Sequence, residues 1–169
     1  RADIFEQHRA KLRGVAYRML GSLSEAEDVV QDAYLRWHRA PEGEVRSPEA
    51  WLVTVVTRLS IDRLRQARVE RESYVGPWLP EPIVEQHAPA ADAATELASS
   101  LSVAFLVVLE RLSPEERAAF LLHDVFESGY DEIAQILGKS EVACRQLVSR
   151  ARKRVHEERP RVQVSEAAR

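Results

Sequence analysis

The side chains in this sequence best suited to chemistry are hydrogen-bond donors, and they cluster between Tyr130 and Val155, in YDEIAQILGKSEVACRQLVSRARKRV. Arg145, Gln146, Ser149 and Arg150 fall on one face at helical spacing, and Arg152, Lys153 and Arg154 follow one turn later. A helix with such a face fits recognition of nucleic acid, lying in a DNA major groove as the second helix of a helix-turn-helix. A helical hairpin whose basic face is merely solvated fits the same residues. The hairpin alone leaves both readings open.

Two short helices and a tight turn must position these donors. Ile133, Ala134 and Leu137 give the first helix an apolar stripe, and Gly138 stops it, because glycine tolerates the left-handed C-terminal cap. Ser140 can cap the second helix by accepting from a free backbone amide. In that helix Cys144, Leu147, Val148, Ala151 and Val155 recur on the face opposite the donors.

Bond-breaking chemistry has no comparable basis. Asp62 lies among arginines and Asp124 beside His123, but neighbouring helix positions point apart and no nucleophile joins either pair. The five histidines are scattered without metal-ligand spacing, and no glycine-rich loop cradles a phosphate. The single cysteine, Cys144, excludes an internal disulfide framework and is expected as a small buried hydrophobe. No run reaches the roughly 20 apolar residues of a membrane span, and nothing resembles a secretory leader. A cytoplasmic protein without enzyme activity, metal or cofactor is the expectation.

The net charge of -3 conceals strong local asymmetry. Residues 145–161 hold seven Arg or Lys against two Glu, whereas residues 22–32 and residues 81–100 each hold four carboxylates and no Arg or Lys. Salt confines each patch to about 8–10 Å, so basic surfaces for nucleic acid and acidic surfaces for another partner are both expected.

The rest of the 169-residue chain reads as helices. The first, from Asp3 to about Leu20, aligns Phe5, Leu12, Val15, Ala16 and Met19, with Asp3 as the expected cap and Gly21 as the stop. Ser24-Glu25-Ala26-Glu27 is expected to open the second as a capping box. That helix would bury Ala26, Val29, Val30, Ala33, Tyr34 and Trp37, with Glu25, Asp28, Gln31, Asp32 and Arg36 outside. Ser47-Pro48 opens a long third helix running to about Glu72, with Pro at its first position. Its stripe is Trp51, Leu52, Val55, Val56, Leu59 and Leu64, and its outer face carries Arg58, Arg63, Arg65, Arg68 and Arg71. After the linker, Ser113-Pro114-Glu115-Glu116 restarts a helix expected to bury Ala119, Phe120, Leu122 and, as a further candidate, Val125.

The expected fold is therefore all-α, with two small helical domains joined by a partly extended linker. The divisions are residues 1–73, a linker at 74–96, a helix-turn-helix domain at 97–159 and a tail at 160–169. The linker opens with YVGPWLPEP, residues 74–82, where three prolines and a glycine forbid a helix. Tyr74, Val75, Trp78 and Leu79 are too apolar for a free tether, so a strap on a neighbouring domain and a contact for a partner or further domain both stand.

In this order and spacing the segments resemble the extracytoplasmic-function (ECF) sigma factors of bacterial RNA polymerase, over essentially the whole chain. SEAEDVVQDAYLRWHR is similar to region 2.2, WLVTVVTRLSIDRLRQAR to regions 2.3 and 2.4, and LSPEERAAFLLHDVFESGYDEIAQILGKSEVACRQLVSRARKRV to region 4. WLPEP (Trp78, Leu79, Pro80, Glu81, Pro82) resembles a motif of the SigJ-like subgroup, whose members carry a SnoaL-like domain after region 4. The chain stops where that domain would begin, which suggests a truncated or short form. By that resemblance WLPEP would be a docking point for the domain.

The resemblance also implies roles. Asp28, Gln31, Asp32 and Arg36 would meet the β′ clamp helices of core RNA polymerase, and region 4 would meet the β flap. Arg58, Asp62, Arg63, Arg65 and Arg68 would lie at the -10 promoter element, with the loop from Pro41 to Ser47 helping to hold an unstacked base. Arg58 stands where many family members carry Asn. Lys139, Ser140, Arg145, Gln146, Ser149 and Arg150 would read the -35 element, arginine suiting guanine and glutamine adenine. Arg152, Lys153 and Arg154 would hold phosphates, which give affinity and register but no sequence information. An anti-sigma factor is a further candidate partner, and no membrane is expected. The competing readings are a free-standing helix-turn-helix regulator acting without polymerase, and a protein-interaction module whose basic helices are only solvated.

Overall fold

The computed structural model describes residues 1–72 and 103–157, and every regular element among them is helical. WLPEP, the first residues of the second unit and the tail after residue 157 lie outside the described residues.

Helix α1 (Ala2–Leu20) buries Phe5, Leu12, Val15, Ala16 and Met19, as the spacing predicts, together with Tyr17 and Leu20. Gly21 ends it at φ 68°, donating its amide to the Tyr17 carbonyl. Asp3 is not the cap. It lies in the first turn, where its charge faces the positive end of the helix, and the capping position belongs to Arg1. Arg1 reaches instead to the end of the next helix, donating to the Trp37 carbonyl at 2.9 Å, while Trp37 Nε1 donates to the Arg1 carbonyl at 3.1 Å.

Helix α2 (Leu23–Arg39) is capped by Ser22 rather than Ser24. Ser22 is extended, and its hydroxyl accepts from the Glu25 amide three residues on, at 3.3 Å. Ser24 already lies within the helix, so the capping geometry has moved two residues upstream. The expected apolar face is buried except for Tyr34, which is half-buried beneath His38 and edge-on to Phe5.

Helix α3 (Pro48–Glu72) starts and ends where expected. Its buried face is wider than the predicted stripe: Leu52 and Val56 are joined by Val53, Thr57, Ser60 and Ile61, while Trp51, Val55, Leu59 and Leu64 are half-buried. The breadth has a simple cause. One side of α3 packs on α1 and α2, and another meets the second unit.

In that unit, helical residues 103–109 (α4) precede α5 (Pro114–Phe120), whose cap Ser113 accepts from the Glu116 amide at 3.2 Å. A π-helical turn, Leu121–Val125, follows, and then α6 (Tyr130–Leu137) and α7 (Glu141–Glu157). Leu121 and Leu122 are buried in the π-turn, but Val125 is 38% exposed and does not join the core.

The two units share a seam. The guanidinium of Arg117, a residue only 4% exposed, donates to the Met19 carbonyl, one of the carbonyls left free at the end of α1. Its other near partner is Glu110, at 3.4 Å. Burial pulls the Arg117 pKa down, opposed by Glu110. Nearby, the Phe126 ring sits over Gly14, where an added Cβ would come within 3.7 Å of it, and the Arg18 guanidinium covers the same ring.

Candidate nucleic-acid interface

Helix α6 ends at Gly138, φ 64°, and the Ser140 hydroxyl accepts from the Ala143 amide at 3.1 Å to cap α7. Ile133, Cys144, Val148 and Ala151 are fully buried between these helices and their supports. Desolvation pushes the Cys144 thiol pKa up, so it packs as a small hydrophobe. The opposite face is exposed at every expected position: Lys139, Ser140, Arg145, Gln146, Ser149, Arg150, Arg152, Lys153 and Arg154.

Exposure does not make these residues equivalent. Arg152 donates to Asp124 through Nε at 2.8 Å and through a second nitrogen, a two-point grip on the π-turn. Arg154 donates to the Arg111 carbonyl at 3.2 Å and lies 3.6 Å from Glu116. Arg145 has no hydrogen bond or ion pair among the described residues, and its guanidinium lies 5.1 Å above the Tyr130 ring. Two of the three expected phosphate holders thus face protein groups, while Lys153 stays in solvent.

His123 and Asp124, expected to point apart, are hydrogen-bonded at 2.7 Å. A π-turn closes i to i+5 bonds and so has more residues per turn, which brings neighbouring side chains closer than in an α-helix. The irregular backbone favours this contact, and no periodicity in the sequence announces it. The Arg152 hydrogen bond, set against desolvation, leaves the Asp124 pKa below the ordinary aspartate value. Asp124 therefore contributes stability in full above about pH 4, and that contribution is lost as pH falls through the lower folded value. Urea unfolding between pH 7 and pH 2.5 should show Asp124→Asn less stable at neutral pH, with the gap to wild type closing in acid. A gap that persists unchanged in acid would remove the ion pair as its cause.

Val142 was not among the expected contacts, yet it is 62% exposed on the first turn of α7. An apolar residue on the polar face of an amphipathic helix was the available signal. Leu35, 42% exposed on α2, carries the same signal beside Gln31 and Asp32.

On the first unit, Asp28, Gln31 and Arg36 are exposed and Asp32 is half-buried. Arg63 leans against this acidic face, 3.8 Å from Asp28 and 3.5 Å from Asp32, so α2 and α3 present one connected charged surface. The other basic residues of α3 diverge. Arg58 donates to the carbonyls of Ile136 at 2.9 Å and Gln135 at 3.2 Å, satisfying the end of α6. Arg65 pairs with Glu115, and Arg71 lies 3.1 Å from Glu110. Asp62 and Arg68 are exposed. Arg58, Asp62, Arg65 and Lys139 line a cleft of about 290 Å³ between the units. A second cavity, of about 420 Å³, lies between α2 and the loop before α3, walled by Arg36, Arg39, Pro41, Val45 and Trp51.

Among the described residues, no group of three or more His, Cys, Asp or Glu could hold a metal ion, and no helix is long and apolar enough to cross a membrane.

Comparison with known proteins gives this geometry a context. Residues 4–70 match the model for sigma-70 region 2, and residues 102–155 match that for sigma-70 region 4. The chain is 51% identical over 153 residues to the ECF RNA polymerase sigma factor SigJ of Mycobacterium tuberculosis, covering 89% of this chain and 48% of that protein. It is 39% identical over 154 residues to the probable ECF RNA polymerase sigma factor SigI of Mycobacterium tuberculosis, covering 90% of this chain and 53% of the relative. The crystal structure of Mycobacterium tuberculosis SigJ superposes with a TM-score of 0.68 at 46% identity, covering 92% of this chain and 53% of that one. The sigma factor RpoE of Bartonella quintana, solved in complex with the anti-sigma factor NepR, gives a TM-score of 0.66 over 94% of this chain and 97% of that one; at 22% identity it speaks to the fold alone. The chain spans about half the length of the curated relatives named here. With both sigma-70 regions present in order, the chain belongs to the extracytoplasmic-function sigma factors.

Proposed function

We propose that this chain binds core RNA polymerase and directs it to promoters, reading the -35 element with α7 and the -10 element with α3 and the loop before it. It acts by binding, without catalysis of its own, in the cytoplasm where the polymerase works. The observation that carries this reading is the pairing of two exposed surfaces in one chain. Helix α7 offers exposed donors over an apolar face on which Cys144, Val148 and Ala151 are fully buried and Leu147 and Val155 half-buried, and α2 offers an acidic face with Leu35 at its side. A free-standing regulator needs only the first.

The details extend that reading. Val142 is placed to meet a thymine methyl beside the polar contacts of Arg145, Gln146 and Arg150. Extracting a base from the stack costs a few kcal/mol, on the order of 3. The cavity walled by Trp51, Val45 and two arginines offers an unstacked base an aromatic neighbour and cationic rims.

Using Arg58 and Arg65 on DNA requires releasing their partners across the seam. The Arg65–Glu115 ion pair, exposed on its arginine side, is worth only about 0–1 kcal/mol. The Arg58 bonds to the Ile136 and Gln135 carbonyls are charge-assisted, about 1.5–3 kcal/mol each where buried, so promoter phosphates compete for Arg65 more readily than for Arg58. Arg117 is different, because it is buried. We expect the Arg65–Glu115 contact to exchange for DNA first and the Arg58 contacts after it, while the Arg117 contact resists.

Size-exclusion chromatography of the chain with core polymerase tests the first step. Co-elution is expected, and charge reversal at Asp28 and Asp32 together should reduce binding at least tenfold. Undiminished binding by the doubly reversed chain would move the polymerase contact away from α2.

A further inference from the structure

A chain of side-chain contacts joins α7 to the start of α6 and the π-turn. Tyr130, the first residue of α6, is covered on one side by His123, with ring centroids 4.4 Å apart and planes inclined by 22°. The Arg145 guanidinium also lies over the Tyr130 ring. His123 is itself fixed: its Nδ1 donates to Asp124, since an ionised carboxylate can only accept. Asp124 in turn grips Arg152, seven residues and two turns along α7 from Arg145. The π-turn, the start of α6 and two points on α7 are thus joined by four contacts.

We infer that Tyr130 is a positioning residue for sequence recognition, holding the Arg145 guanidinium ready for a base, with His123 and Asp124 fixing the ring. This rests on α7 being the DNA-reading helix. Guanidinium chemistry gives the reason. A cation over an aromatic ring is held by the ring's quadrupole rather than by an oxygen acceptor, so the contact pairs none of the five guanidinium donors with an oxygen. Tyr130 can therefore restrain Arg145 without consuming a donor, and no other hydrogen bond or ion pair among the described residues does so. A free arginine side chain must give up rotamer freedom to bind; one already held loses less. The same logic assigns Arg152 to holding the pitch of α7 rather than to a phosphate.

The test uses the whole chain with core polymerase. The probe is a duplex that the wild-type complex selects from a library randomised across the -35 position, together with its single-base variants. Tyr130→Leu is expected to lower discrimination about fivefold at the base read by Arg145, the scale of an exposed cation–π contact, with no change in salt slope. Tyr130→Phe should keep wild-type discrimination. His123→Ala, which leaves α6 intact, should lose about threefold in the same direction and serves if the Leu variant does not fold. Arg152→Ala should weaken binding with the salt slope unchanged; a slope reduced by about one would make it a phosphate contact.

A second readout needs no DNA. The Arg145 Nε proton resonance in the free chain should carry a ring-current shift that Tyr130→Phe keeps and Tyr130→Leu abolishes. If Tyr130→Leu discriminates as wild type does, or Phe fails as badly as Leu, the inference is wrong. If the wild-type complex selects no duplex, the promoter reading fails instead, and the resonance still decides whether Tyr130 holds Arg145.

Discussion

Arg117→Ala is expected to lower the unfolding free energy by about 3 kcal/mol, read as a shift of the urea midpoint at constant slope. The substitution removes a charged donor from a site 4% exposed and leaves the Met19 carbonyl without that bond. A buried hydrogen bond from a charged group contributes about 1.5–3 kcal/mol, and the lost stem leaves a void besides. Arg117→Met refines the argument. It keeps most of the stem volume and sheds the cost of burying the charge, and Glu110 retains Arg71 at 3.1 Å. A loss nearer 1 kcal/mol is expected for it. An Ala variant within about 0.5 kcal/mol of wild type, the scatter of ordinary surface changes, would show that the seam does not depend on Arg117 and is held by its apolar contacts and the arginines of α3.

Arg145→Ala and Arg150→Ala should each cost about 1–3 kcal/mol at the selected -35 sequence, roughly fivefold to 150-fold, with little effect on scrambled DNA. Lys153→Ala should weaken both DNAs about equally and lower the salt slope by about one. The contrast follows from geometry: Arg145 is held over Tyr130 early in α7, whereas Lys153 projects into solvent near its end. Competition binding on both duplexes at several salt concentrations separates the two kinds of contact. Equal losses on both duplexes for Arg145→Ala would remove it from the base readers.

What the sequence made legible follows from local rules. Gly21 and Gly138 marked helix ends because a left-handed cap leaves a plain chemical trace, and Pro48 and Pro114 marked starts. The apolar stripes placed Cys144, Val148 and Ala151 in the core because α7 packs along one face. The rule was weaker for α3, which is covered on two sides, so Val53, Thr57, Ser60 and Ile61 were missed. The exposed donors of α7 followed from the same periodicity. Their partners did not. Whether Arg58 meets solvent or the end of α6, and whether Arg152 is free or gripped by Asp124, depends on contacts between residues 78 and 28 positions apart. Periodicity carries no information at that range. Asp124 beside His123 was dismissed by an α-helical rule that the π-turn breaks.

The central claim is that the acidic face of α2 and the reading face of α7 serve one act, placing polymerase on a promoter. Run-off transcription with core polymerase on a library of promoter-containing templates tests it most directly. Added to core enzyme, the chain should produce transcripts of defined start site that core alone does not make, and Arg145→Ala should reduce them without abolishing polymerase binding. Binding to DNA with no promoter-specific initiation on any template would contradict the account and leave a free-standing DNA-binding protein in its place.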